Sequence, residues 1–211
     1  MRLGCGGCLT AFVLVICLAA VLVATGWAAT RVLQAPELTA EVPTAADSST
    51  AQHKIYELAT RPRRAGGAPV VLSEREINAL LSRQLAGELP FSATVVRLIG
   101  DEQVEINGAL PLGQLLADVP GAGLLERLPG RWARRPVWLH LHTRSRVETV
   151  GGRRQLRLDV RRVAVGRLPL PRITARLLLD PDSLRWLRIT LPDHVQSVTI
   201  EPGRAVIRLA S

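Results

Sequence analysis

The sequence predicts an α+β protein, in which an N-terminal transmembrane helix leads into a long, curled antiparallel β-sheet packed on an amphipathic helix. Three observations predict it. Residues 9–29 (LTAFVLVICLAAVLVATGWAA) form an uncharged apolar run. Residues 70–87 (VVLSEREINALLSRQLAG) carry a helix-start signature followed by apolar residues at helical spacing. From residue 91 onward the apolar period falls from about 3.6 to about 2, the change from helix to strand.

Composition bounds the fold. The 211 residues are 47% hydrophobic, which excludes disorder throughout. Cys5, Cys8 and Cys17 all belong to the N-terminal segment, so no disulfide scaffold supports the remainder. A chain of this size buries enough apolar surface to do without one.

The 21 positions of the apolar run, at about 1.5 Å each, span roughly 31 Å, the thickness of a hydrocarbon core. No polar stripe recurs as it would in a buried core helix. A cleaved signal peptide is the alternative, with Gly26-Trp27-Ala28 a tolerable cleavage site. The run exceeds the roughly 7–15 residues of a signal-peptide core, which favours an uncleaved signal anchor. Arg2 and the terminal amine on the short side, against Arg31 followed by Glu37 and Glu41, favour a cytoplasmic N-terminus. The expectation is a single-pass protein of the cell membrane: residues 1–8 cytoplasmic, 9–29 the signal anchor, and the rest extracytoplasmic. Cys5 and Cys8 have C-x-x-C spacing, but a zinc site takes four ligands and no further Cys pair or His is near. Leu3-Gly4-Cys5 resembles the tail of a lipidation box, yet precedes the apolar core instead of following it.

Residues 30–52 read as a flexible tether, Ala-, Thr-, Ser- and Pro-rich from residue 35, and residues 53–211 as one α+β domain. Ile55, Leu58 and Ala59 suggest a short helix before the Arg- and Gly-rich residues 61–67. Ser73 and Glu76 then form a capping box, each side chain serving an orphan N–H at the helix start. Ile77, Leu80, Leu81 and Leu85 follow on one face, and Gly87 ends the helix.

Residues 91–99 and 102–110 read as strands around a Gly100-Asp101 turn. Residues 112–128 carry Gly113, Pro120, Gly121 and Gly123 among leucines, and suit broken helices or an apolar loop. The strongest alternation runs over residues 136–150: Val137, Leu139, Leu141, Thr143, Ser145 and Val147 on one face, Trp138, His140, His142, Arg144, Arg146 and Glu148 on the other. Gly151-Gly152 turns the chain, and Leu156, Leu158 and Val160 continue the apolar face. The doubled Arg161-Arg162 then predicts a β-bulge that restores the inward phase before Val163 and Val165. Strands of such length twist and coil, hence the expected curl around a helix. A helix near residues 181–187 and a closing hairpin, residues 195–200 with 205–209, complete the chain.

The stretch S-E-x-E-I-N-x-L-L at residues 73–81, V-G-R-L-P-L-P at 165–171, and L-P-x-x-V-x-S-V-x-I-E-x-G at 191–203 resemble the YpmS-like and LmeA-like bacterial membrane-anchored envelope proteins. These are similar in architecture to tubular lipid-binding domains, so the resemblance, covering most of residues 70–211, implies an apolar groove for acyl chains between sheet and helix. It implies no catalytic motif.

Nor does the chain contain a nucleophile elbow, a zincin motif or a phosphate-binding loop. His140 and His142, two apart on a strand, are the best candidate metal pair, with His194, Asp193 or Asp159 as conceivable third ligands. The simpler reading is a pair of solvent-face histidines. No catalytic, metal or cofactor site is therefore expected, and the protein reads as non-enzymatic. The chain has 26 Arg and one Lys against 18 acids, a net charge of +9 that divides unevenly. Residues 1–126 hold nine basic and twelve acidic side chains, and residues 127–211 hold eighteen and six. Arg131, Arg134, Arg135, Arg144, Arg146, Arg153, Arg154, Arg161 and Arg162 are the candidates to face phospholipid headgroups or an anionic envelope polymer. Ile77, Leu80, Leu81, Leu85, Leu139, Leu141, Leu156 and Leu158 are the candidates to line a groove. Nucleic acid is disfavoured, because only 3% of residues are aromatic and the domain is expected outside the cytoplasm. A rival expectation is an envelope interaction scaffold with a fully packed core and an unidentified protein partner.

Overall fold

Helix α1 (Gly6–Leu33) is the apolar run extended by about a turn at each end. The structure, a computed structural model, describes residues 6–34, 43–60, 68–83, 91–116, 130–171 and 187–210, with side chains in α1 from Ile16 onward. Its 28 residues rise about 42 Å, more than a hydrocarbon core requires. Leu18, Val21, Leu22, Val23 and Trp27 are exposed, and the helix is long and apolar enough to cross a membrane. Cys17 is a free, exposed thiol, while Cys5 and Cys8 lie outside the described side chains.

Two expectations for the next segment change. Residues 30–33 continue α1, and residues 45–52 belong to α2 (Ala45–Thr60), so neither is tether. The missed signal is a second capping box. Thr44 Oγ1 donates to Asp47 Oδ2 at 2.6 Å, while the Asp47 N–H donates back to Thr44 Oγ1 at 3.3 Å. Ala51 and Leu58 bury one side of α2. Lys54 Nζ fastens it to the next elements through the Val71 carbonyl, at 2.8 Å, and Glu76 Oε1, at 2.6 Å.

Strand β1 (Val70–Ser73) passes directly into α3 (Glu74–Arg83). The expected capping box forms, with the Ser73 N–H donating to Glu76 Oε2 at 2.7 Å and the Glu76 N–H to Ser73 Oγ at 3.3 Å. Ile77, Leu80 and Leu81 are only half-buried, whereas Glu76, Asn78 and Ala79 are the buried side chains. Leu85 and Gly87 lie outside the described residues.

The remaining elements are β2 (Ala93–Gly100), β3 (Gln103–Pro111), α4 (Leu112–Leu116), α5 (Gly130–Ala133), β4 (Pro136–Val150), β5 (Arg153–Val165), β6 (Leu168–Leu170), β7 (Arg188–Thr190), β8 (Val195–Glu201) and β9 (Arg204–Leu209). They make two antiparallel sheets. The larger has six strands in the order β2-β3-β4-β5-β6, with β7 on the far half of β5, and the smaller has the order β1-β9-β8. Of the residues 112–128 only α4 is described, and of the helix expected near 181–187 only Leu187; the rest lie outside the described residues.

The bulge is where the sequence places it. Thr143 pairs with Val160 and His142 with Arg162, leaving Arg161 as the extra residue, so Val163 and Val165 return to the buried face. The curl is not: neither sheet is strongly curled. A second sheet covers part of the apolar face of the long β4–β5 ribbon. Val137, Leu139 and Leu141 of β4 join Val195, Val198 and Ile200 of β8 in one core. The two sheets are joined at the β8–β9 turn, where the Gly203 N–H donates to the Leu98 carbonyl at 2.8 Å and Pro202 closes on Gly100.

Candidate functional site

The apolar face of β4 and β5 changes character along its length. In its first half Val137 and Leu141 have no exposed surface and Leu139 is 3% exposed, so nothing can sit against them. They are packed core, not the groove lining expected of Leu139 and Leu141. Past the bulge, Val147, Leu156, Leu158 and Val160 are half-buried, and Ile189, opposite Leu156 on β7, is 49% exposed. Thr143 and Ser145, opposite Val160 and Leu158, are buried at 2% and 3%, so what the described residues leave partly open on this face is the strip along β5 and β7, with Val147.

The opposite face holds a polar pair that the alternation alone does not suggest. Asn107 of β3 lies directly across from His140 of β4. Both are buried, Asn107 at 0% and His140 at 8% exposure, and the Asn107 amide oxygen is hydrogen-bonded to His140 Nδ1. Asn107 Nδ2 and His140 Nε2 have no partner among the described residues. Burial pushes the His140 pKa below its ordinary value, nearby His142 lowers it further, and the Glu105 carboxylate opposes both. Burial thus favours the neutral form of the His140 imidazole, while His142, on the same face, is exposed.

None of the three conceivable third ligands joins these histidines. His194 Nε2 donates to the Leu58 carbonyl at 2.5 Å, Asp193 is exposed, and Asp159 is engaged by Arg146 at 3.1 Å and Arg157 at 2.9 Å. Among the described residues no group of three His, Cys, Asp or Glu side chains is placed to hold a metal ion.

The candidate arginines separate into three groups. Arg144, Arg146, Arg161 and Arg162 lie on or beside the outer face at mid-sheet, all exposed. There Arg146 and Arg157 share Asp159 and Glu148 in a surface ion-pair network that offsets part of the positive charge. Arg153 is exposed at the β4–β5 hairpin tip, but Arg154 turns to the other side, donating to the Val195 and Gln196 carbonyls at the start of β8. Arg131, Arg134 and Arg135 stand exposed at the opposite end of the sheet, and the Arg135 guanidinium lies 5.2 Å over the Trp132 ring.

That end is also where α1 meets the domain. The Arg167 N–H, in the β5–β6 turn, donates to the Arg31 carbonyl at 2.8 Å, and the Gly166 N–H donates to the Trp138 carbonyl at 2.7 Å. Gly166 has φ +57°, and a Cβ there would overlap the carbonyl oxygens of Val32 and Arg31. Val32 and Leu33 pack against the core. Arg31 lies 5.1 Å over Trp27. The Trp-to-Arg spacings of four and three residues, at Trp27-Arg31 and Trp132-Arg135, are the sequence signals that would have drawn attention to this end. No protein-family model, curated protein or solved structure matches the chain.

Proposed function

We propose that the chain is a single-pass, membrane-anchored domain of the bacterial envelope, N-terminus in the cytoplasm and domain outside, that binds lipid without catalysing a reaction. The observation that carries this reading is the unfinished apolar face: a domain bonded to a helix long and apolar enough to cross a membrane leaves Val147, Leu156, Leu158, Val160 and Ile189 half-covered or exposed beside its packed core. A strip of Val, Leu and Ile in extended strands offers dispersion and hydrophobic contact to an acyl chain and no hydrogen-bonding chemistry. The resemblance to the YpmS-like and LmeA-like proteins supports the same ligand class. Of the groove candidates on β4 and β5, burial leaves Leu156 and Leu158 accessible and not Leu139 and Leu141.

A photo-crosslinking amino acid at position 158 in the full chain, irradiated in intact bacterial membranes, is expected to yield phospholipid adducts by mass spectrometry, whereas the same group at the outward-facing position 144 yields none. A rival reading, an envelope interaction scaffold, draws on the burial of Val137, Leu139 and Leu141 in the core. It predicts a single protein adduct from position 158 and no lipid.

A further inference from the structure

The junction between α1 and the sheet fixes how deep the domain sits. In a membrane-crossing helix, Trp marks the boundary between hydrocarbon and headgroups, and an Arg one turn beyond it reaches into the phosphate layer. Trp27 and Arg31 are spaced in this way, about 6 Å apart along the helix axis. The headgroup layer on each side of a bilayer is roughly 5–8 Å thick. Where α1 crosses a bilayer, this spacing puts the Arg31 carbonyl, and with it the Arg167 N–H bonded to it at 2.8 Å, at headgroup depth.

From that point the sheet carries the depth outward along its own end. Trp138 is tied to Gly166 at 2.7 Å, and Arg135 lies three positions before Trp138, at most about 10 Å along the chain. The Arg135 carbonyl accepts from the Leu112 N–H at 2.9 Å, which holds α5 to the end of β3. Arg131, Arg134 and Arg135 are thereby held at the α1-bonded end of the sheet and exposed. Of the described ion pairs, none engages these three arginines, in contrast to Arg146 and Arg157 farther along.

We infer that this end of the sheet is a headgroup-binding collar, in which Arg131, Arg134 and Arg135, with Arg31 and the Trp27 and Trp132 rings, engage the phosphates of anionic phospholipid in the leaflet from which α1 emerges. The inference rests on the reading that α1 spans a membrane, and is independent of the acyl-binding strip. Charge complementarity selects the occupant: guanidinium groups take phosphate oxygens two at a time, and the indole rings sit at the interface beside them. Arg146 and Arg157, already partnered by Glu148 and Asp159, belong to a different surface.

The test uses the full chain reconstituted in phosphatidylcholine vesicles. Electron spin resonance measures the selectivity of its lipid shell for spin-labelled phosphatidylglycerol over spin-labelled phosphatidylcholine. The wild-type chain is expected to prefer phosphatidylglycerol several-fold, and the preference is expected to fall in high salt. The variant R131E/R134E/R135E is expected to lose it, and R144E/R153E/R161E, the same charge change away from α1, to retain it. Absence of preference in the wild type, its persistence in the first variant, or equal loss in both variants would overturn the collar. Because charge reversal could disturb folding, R131Q/R134Q/R135Q is measured alongside. Loss of preference there with an unchanged circular dichroism spectrum supports the collar, and retention overturns it. A chain released from bacterial membranes by carbonate overturns the anchor itself, an outcome distinct from a retained chain without lipid preference.

Discussion

The backbone N–H of Arg167 closes the last turn of α1 by donating to the carbonyl of Arg31 at 2.8 Å. Helix carbonyls at a C-terminus lack intrahelical partners, and here a turn of the sheet supplies one. The junction depends on Gly166, whose positive φ and missing Cβ let the two backbones meet. Gly166→Ala is expected to cost at least about 1 kcal/mol from backbone strain alone, with overlap on Val32 added to it. Protease sensitivity of the chain just after α1, compared between the wild type and Gly166→Ala in membranes, checks this. Equal cleavage rates would show that α1 and the sheet are not held together at this point.

Asn78 is expected to be worth more than any leucine of α3. Its amide donates to the Val96 carbonyl at 2.8 Å and accepts from the Val96 N–H at 2.7 Å, and the Leu98 N–H donates to Glu74 Oε2 at 2.8 Å. Helix α3 thus takes the place of a neighbouring strand along the β2 edge, satisfying groups that an open edge would expose. Asn78→Leu leaves a buried donor and a buried acceptor unpaired, at a cost of about 2–4 kcal/mol. Leu80→Ala, at a half-buried position, is expected to cost less. Pulse proteolysis in urea compares the two, and a smaller loss for Asn78→Leu would remove this role from the asparagine.

What the sequence made legible was whatever depends on local period or local capping. The Ser73-Glu76 box, the two faces of β4 and the Arg161 bulge all follow from spacing within one segment. Asn78 escaped because its partner is 18 residues away, and helical periodicity weighs apolar side chains while treating a buried asparagine as surface. Leu139 and Leu141 were rightly inward, yet whether an inward face is groove or core depends on the second sheet, whose strands come from residues 70–73 and 195–209. The docking of α1 depends on a contact between residues 31 and 167, for which no local pattern exists.

Acid is expected to weaken the α2–α3 junction through Glu76. Burial alone would raise its pKa, but the bonds from Lys54 and Ser73 outweigh burial and hold the carboxyl below the ordinary glutamate range. A carboxyl depressed in the folded state contributes stability that is full above its unfolded pKa and is lost as pH falls through the folded value. Unfolding measured between about pH 6 and 3 is therefore expected to lose less stability in Glu76→Gln than in the wild type. Parallel curves for the two proteins would dissociate Glu76 from the acid response.

His140 predicts a pH response of its own at a higher pH. Its folded-state pKa is lowered by burial, so between the folded value and the ordinary value of about 6.5 the unfolded chain binds the extra proton. By linkage the contribution is full above the unfolded pKa and is lost as pH falls toward the folded one. Glu105 and His142, on the same face, pull in opposite directions, and Arg162, across from His142, is exposed to solvent. Stability is expected to fall from pH 7.5 to 5.5 in the wild type and to fall less in His140→Phe. Removing only one member of the pair strands the other: Asn107→Leu leaves His140 Nδ1 without its bond, at about 1–3 kcal/mol, whereas the double variant N107L/H140F removes both polar groups together. The double variant is therefore expected to cost less than the two single variants summed. Simple additivity in urea unfolding would mean that Asn107 and His140 do not act as a pair.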